Sequence, residues 1–387
     1  MRAYLDNGNT TPVDKRVVEA MKPYFTEKFG HPLFIYSEGK EANEAVENAS
    51  EYIASTVGSR DGVVTFTSGV TEASDLALRG AVRARKNEGN HIITSEIENP
   101  SVLRVCEELE KRGFEVDYLG VDEKGFIDLE ELKSLVRGET ILVSIAHVSD
   151  EIGTIEPIKD IGEIIKDKNP STYFHADIAA SYGRVPFDME KAKVDMVSLG
   201  AHLIHGPKGV GALIAGDKIE LEPVNYGYLS LSKIRPGTEN VPGIVGFKKA
   251  AEVSFEDFDS KVERIRSLRD KLISKIESTI SKTVLHGARG DQRSPANVNF
   301  SFKNIEGESI MMHLDMRGIS VATGSACATR KLEPSHVLTA IGVDPVVAHG
   351  AIRFTLSRMN TEEEIDYTLE VLPKVVKKLR KMSPMKS

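Results

Sequence analysis

From about residue 60 the chain alternates short apolar runs with amphipathic stretches of helical period, and this alternation constrains the fold more than any other feature. Strand-like runs are Val63-Val64-Thr65-Phe66, His91-Ile92-Ile93-Thr94, Ile141-Leu142-Val143-Ser144-Ile145, Val194-Asp195-Met196-Val197 and Gly211-Ala212-Leu213-Ile214. Between them lie stretches such as the one that puts Val102, Val105, Cys106 and Leu109 on one helical face. Strands alternating with helices predict an α/β fold with a mostly parallel sheet covered on both faces. Ligand sites in such sheets lie outside the carboxyl ends of the strands. A stripe of Val262, Ile265, Leu268, Leu272 and Ile276 predicts a long helix leading into a smaller second domain. Thr361 and Glu364 have the spacing of a capping box, opening a last helix with Ile365, Leu369 and Leu372 turned inward. The expected division is a large α/β domain over 16–255 and a small α+β domain built from 1–15 and 256–387.

Composition narrows the function classes. The 387 residues suffice for two packed cores. No apolar run approaches the roughly 18 residues that cross a bilayer, and Met1-Arg2-Ala3-Tyr4-Leu5-Asp6 has no secretory apolar region, so no membrane role is expected. A net charge of -8 argues against nucleic acid as the main partner. The two cysteines, Cys106 and Cys327, exclude a disulfide framework and suit a reducing cytoplasm. Neither Cys-x-x-Cys nor His-Glu-x-x-His occurs, so no preformed zinc site is expected.

The chemistry-bearing motifs come in a set. Thr67-Ser68-Gly69-Val70-Thr71-Glu72 follows a strand and opens a helix, where backbone N–H groups can bind phosphate. Alone, such a turn is as readily a plain strand-to-helix connection. Further along come His175-Ala176-Asp177, then Ala201-His202-Leu203-Ile204-His205-Gly206-Pro207-Lys208-Gly209, and Arg235-Pro236-Gly237-Thr238-Glu239-Asn240. Thr323-Gly324-Ser325-Ala326-Cys327 and Ile352-Arg353-Phe354 complete the series.

In this order and spacing the chain resembles the NifS/IscS-type cysteine desulfurases, of the class-V aminotransferase family, over nearly its whole length. The resemblance implies the type I fold of dimeric pyridoxal-phosphate (PLP) transferases. It implies that Val70, Thr71 and His202 hold the cofactor's phosphate, with Thr238 arriving from the second subunit of a homodimer. Asp177 would face the pyridine nitrogen and keep it protonated, so that the ring acts as an electron sink. Arg353 would clamp the carboxylate of L-cysteine with a bidentate fork. Cys327 would be the nucleophile, carrying sulfur as a persulfide to an iron–sulfur scaffold protein, and a candidate transient ligand of a [2Fe-2S] cluster shared with it. A thiolate must be accessible to attack, and the small neighbours Gly324, Ser325 and Ala326 suit a loop that swings between cofactor and acceptor. Cys106, on its apolar stripe, reads instead as core filler.

The same resemblance marks departures. Leu203 stands where the family has the lysine that forms an imine with PLP; leucine can neither form that bond nor move a proton. Asn99 replaces a histidine that stacks on the ring. Asp150, in the cofactor-binding set, replaces an asparagine at the phenolic oxygen, and Ala180 a glutamine there. Gly200 replaces a phosphate-contacting serine, and Tyr226-Gly227-Tyr228-Leu229-Ser230 a histidine- and glycine-rich loop. PLP is therefore expected to bind without a covalent link, or not at all. Lys208 reads as structural, and His175 and His205 as pocket-wall residues. The basic ending Lys377-Lys378-Leu379-Arg380-Lys381 reads as a solvated helix end or a dock for an acidic partner.

Four functions stay open. One is a cysteine desulfurase using non-covalent PLP. The second is a catalytically impaired pseudo-enzyme binding a scaffold. The third is a hetero-oligomer subunit beside an active paralogue. The last is another PLP reaction, which leaves Cys327 unexplained.

Overall fold

The computed structural model describes residues 1–228, 230–324 and 334–383. Its main sheet has seven strands: β1 (Val63–Thr67), β2 (His91–Ser95), β3 (Glu115–Leu119), β4 (Thr140–Ser144), β5 (Tyr173–Asp177), β6 (Met196–Gly200) and β7 (Gly211–Ala215). Their spatial order is β1-β7-β6-β5-β4-β2-β3. Neighbours are parallel from β6 through to β3, and β7 runs antiparallel to both β1 and β6. The five expected runs all become strands. That at Val194 starts later, at Met196, because Lys193 takes a positive φ of 53° and turns the chain first. Two of the seven strands lack a continuous apolar run. Glu115–Leu119 is an edge strand of alternating polarity, and Tyr173–Asp177 carries a histidine and an aspartate.

Helices cover both faces of this sheet, and consecutive strand residues feed opposite sides. Ile93, Val143 and Val197 pack with Phe174 and Phe247 in one core. Their neighbours Ile92, Leu142 and Met196 pack with Leu76, Leu78 and Cys106 in the other. Both faces being apolar is why these strands read as continuous hydrophobic runs. Helix α1 (Ser37–Ser55) lies against the first core and α2 (Val70–Arg85) against the second. Helix α3 (Pro100–Lys111) buries Val102, Cys106 and Leu109, the stripe its spacing predicted.

A separate core follows. The stripe of Val262, Ile265, Leu268, Leu272 and Ile276 lies buried along α4 (Phe258–Thr279). A four-stranded antiparallel sheet comprises β8 (Thr283–Leu285), β9 (Asn297–Phe302), β10 (Ala322–Thr323) and β11 (Ala351–Thr355), in the order β10-β11-β9-β8. Helix α5 (Glu362–Met382) opens with the full Thr361–Glu364 capping box. Ala3 and Leu5 share this core with Phe300, Phe354 and Leu372, so both ends of the chain build it. No helix among the described residues is long and apolar enough to cross a membrane.

Candidate active site

A cavity of about 230 Å³ opens at the carboxyl ends of the parallel strands. That position is where this sheet type places ligands. Val70, Thr71, Asn99, Asp150, Asp177, Ala180, His202 and Leu203 all line it. Residues more than a hundred positions apart, singled out from sequence, thus share one cleft.

Each is placed by a local rule. Val70 and Thr71 form the first turn of α2, a 16-residue helix whose free N–H groups favour an anion. Gly200 explains itself sterically, since a Cβ there would lie 2.7 Å from Val70 Cγ2. Asn99, where the resemblance expects a stacking ring, is the N-cap of α3: its Oδ1 accepts from Ser101 N–H at 3.0 Å, just ahead of Pro100 at the first helical position. Asp177 ends β5 and accepts from Ala179 N–H at 2.9 Å. His202 is half-buried, and burial lowers its pKa, which favours the neutral ring. The leucine at 203 is buried, and its carbonyl accepts from Arg184 Nη2 at 2.7 Å. Arg353, on β11, stands behind the rim formed by Asn9 and Asp150 and donates to both.

Other expected residues fall elsewhere. Thr238 lines a different groove, with Thr67, Ser68 and Gly209, and is not brought to this cavity within one chain. Lys208 donates to Thr11 carbonyl at 3.0 Å and does not line the cavity. His175 is hydrogen-bonded to Ser144 Oγ at 2.9 Å and Ser198 Oγ at 2.8 Å, a satisfied core histidine. His205 donates from Nδ1 to Pro12 carbonyl at 2.9 Å, in a left-handed turn. Cys106 is buried and its thiol is pushed up to about 12, as filler should be. Cys327 lies outside the described residues, and so does Leu229. Arg184, Glu98 and Glu151 are buried here too, although nothing in their spacing sets them apart from surface charges in the sequence.

These residues fit PLP in part. The start of α2 suits a phosphate. The buried Asp177 carboxyl, with one donor, suits a cationic ring nitrogen. The covalent hold does not fit: among the described residues no lysine lines the cavity, and leucine occupies the place of the amine. Nor does an acceptor-only carboxylate at Asp150 suit an anionic phenolic oxygen.

The region around the cavity is rich in buried titratable groups, and they set the protein's pH response. Burial raises Glu98 and Glu156 to about 8, and Glu151 and Asp177 to about 7. Burial also lowers His147, His205 and His286 to about 4 and His175 to about 3. Between about pH 4.5 and 6.5 the folded chain keeps protons on carboxyls that the unfolded chain would release, but lacks those on imidazoles that the unfolded chain would bind. With Asp6 and Asp195 also raised by burial, and His91 and His202 also lowered, six groups oppose six. Above about pH 6.5 unfolded histidines are neutral too, and only the carboxyls remain. Their folded pKa values are raised, so their stabilising contribution is present at low pH and lost as pH rises through about 7 to 8. Thermal melts are therefore expected to be nearly level between about pH 5 and 6.5 and to fall by about pH 8.5. A melting temperature that rises over that upper interval would contradict the assignment.

The model of the aminotransferase class-V family matches residues 3–368. Cysteine desulfurase IscS of Dictyoglomus turgidum is 46% identical, over 99% of this chain and 96% of its own length. Cysteine desulfurase IscS of Methanosarcina thermophila is 47% identical, over 99% and 94%. Among solved structures, a NifS-like protein superposes with a TM-score of 0.91 at 37% identity, covering 98% of this chain and all of that one. SspA, solved in complex with cysteine, superposes with a TM-score of 0.80 at 32% identity, covering 93% and 100%.

Proposed function

The chain belongs to the aminotransferase class-V family, among the cysteine desulfurases of the IscS and NifS kind, and from that premise we propose that it supplies sulfur for iron–sulfur cluster assembly. In this reading Cys327 carries the sulfur as a persulfide and hands it to a scaffold protein. The chain works as a cytoplasmic homodimer, with Thr238 completing the neighbour's site, and Cys327 serves as a transient ligand of a cluster shared with the scaffold. The observation that carries the reading is the gathering of Val70, Thr71, Asp177 and His202 around one cavity, with Arg353 behind its rim.

The family uses PLP. When bound here, it would be held by Val70, Thr71 and His202 at the phosphate and by Asp177 at the ring nitrogen, and would supply an electron sink. Leu203 removes both the covalent tether and the proton carrier. That substitution favours a second reading, in which the chain does not turn over cysteine unaided. It would then hold the scaffold as a pseudo-enzyme, with Cys327 carrying sulfur or ligating a cluster, or act as a hetero-oligomer subunit whose Thr238 completes the site of an active paralogue.

The first reading makes Cys327 the sulfur carrier, and this is testable without any turnover. Treated with a low-molecular-weight persulfide, the purified dimer is expected to take up one sulfane sulfur per chain, at Cys327, and pass it to a scaffold protein. The Cys327→Ala variant should take up none, because a thiolate is the acceptor and burial keeps Cys106 protonated. Mass spectrometry after alkylation reads the result. Equal labelling of the variant would sink the proposal.

A further inference from the structure

The arginine assigned to a substrate carboxylate already faces one. Arg353 Nη1 donates to the Asp150 carbonyl at 3.1 Å and lies 3.6 Å from Asp150 Oδ2. Arg353 Nη2 donates to Asn9 Oδ1 at 2.8 Å. Asp150 Oδ2 also accepts from Asn99 Nδ2 at 3.3 Å. The turn that presents Asp150 is braced: Ser149 N–H donates to Thr154 carbonyl at 3.0 Å, and Gly153 N–H to Ser149 carbonyl at 2.8 Å. Asn297 Nδ2 donates to the Asp150 and Glu151 carbonyls at 3.3 and 3.1 Å. Gly153 is needed for this turn, since its φ is +78° and a Cβ would lie 2.7 Å from Asn297.

We propose that Asp150 is a specificity-determining residue, a resident carboxylate that keeps the carboxylates of free amino acids off Arg353. The inference rests on Arg353 being the clamp of the reading above. A carboxylate clamp takes two guanidinium nitrogens, end-on through Nη1 and Nη2 or side-on through Nε and one of them; here Nη1 and Nη2 are engaged within the chain, and Nε is buried with no partner among the described residues. A second carboxylate would arrive beside a like charge that already meets the arginine's own. Asp177, in the same cavity, feels Asp150 as a neighbour that raises its pKa, so the negative charge at 150 acts across the cleft. Asn99 and Asp150 act together in this arrangement. The asparagine amide donates to the aspartate, and both positions depart from the pattern the chain resembles.

Propionate is the probe, because it offers a carboxylate and no amine or thiol. Saturation-transfer NMR on the intact dimer is expected to find no saturable binding to the natural chain. Asp150→Asn should bind at least about tenfold more tightly, and Asp150→Asn with Arg353→Gln should lose that gain. Asp150→Ser serves the same purpose should the asparagine variant fail to fold. Equal binding by the natural chain and the Asp150 variants would overturn the proposal, as would a gain that survives Arg353→Gln. The readout involves neither Cys327 nor sulfur, so this inference and the sulfur-carrier reading fail separately.

Discussion

Leu203→Lys is expected to let the protein trap added PLP covalently, where the natural chain traps none in its cavity. Position 203 lines the cavity, and its main-chain carbonyl is fixed by Arg184 Nη2 whatever the side chain, so a lysine would enter along a wall already in place. A buried amine is driven toward its neutral, nucleophilic form. Borohydride reduction followed by intact-mass measurement reads the link directly. Turnover is a separate matter. Returning the proton carrier is worth about 10²–10⁴-fold in rate, but with Asp150 still facing Arg353 the amino acid would be poorly seated. Alanine release from cysteine should therefore stay low in Leu203→Lys and rise by about that factor only when Asp150→Asn is added. A natural chain in which Lys208 acquires a reducible link to PLP would refute this account.

Much of this was legible in the sequence because it is local or periodic. The strands announced themselves because both faces of the sheet are buried, so every residue of a central strand is buried and most are apolar. The capping box of α5 and the stripe of α4 are read from spacing alone. The site was legible as a set of motifs, and their convergence on one cavity followed once the strands were ordered. Long-range pairings were not legible. Asp150 and Arg353 stand 203 positions apart, and only the packing of the turn after β4 against β11 makes them an ion pair. Asn99 could be named as a departure, but its use as a helix cap appears only in three dimensions. Arg184 and Arg293 look like surface charges in a sequence, since nothing in residue type marks which cations will be enclosed.

Arg293 carries the largest expected effect on stability. Its side chain is among the most completely buried of the described residues, and none of their carboxylates pairs with it. Burial lowers its pKa to about 9. Carbonyl dipoles hold the cation instead. Nε donates to Ala288 carbonyl at 2.6 Å, Nη1 to Asn297 Oδ1 at 3.0 Å, and Nη2 to His286 carbonyl. The arginine thus ties the turn after β8 to the start of β9, and the next residues, Ser294, Ala296 and Asn297, line the cavity. Arg293→Met keeps similar bulk but removes every donor, leaving at least three buried acceptors unsatisfied. Three unpaired buried acceptors, at about 1–3 kcal/mol each, put the loss at the far end of what single substitutions do. Arg293→Lys retains the charge but not the planar fork, and should lose part of that amount. Denaturant unfolding is expected to place the natural chain first, the lysine variant second and the methionine variant last. Because Asn297 also braces the Asp150 turn, the methionine variant should loosen the cavity rim before it unfolds. A methionine variant within about 1 kcal/mol of the natural chain would mean that the carbonyls find other donors and that Arg293 merely fills space.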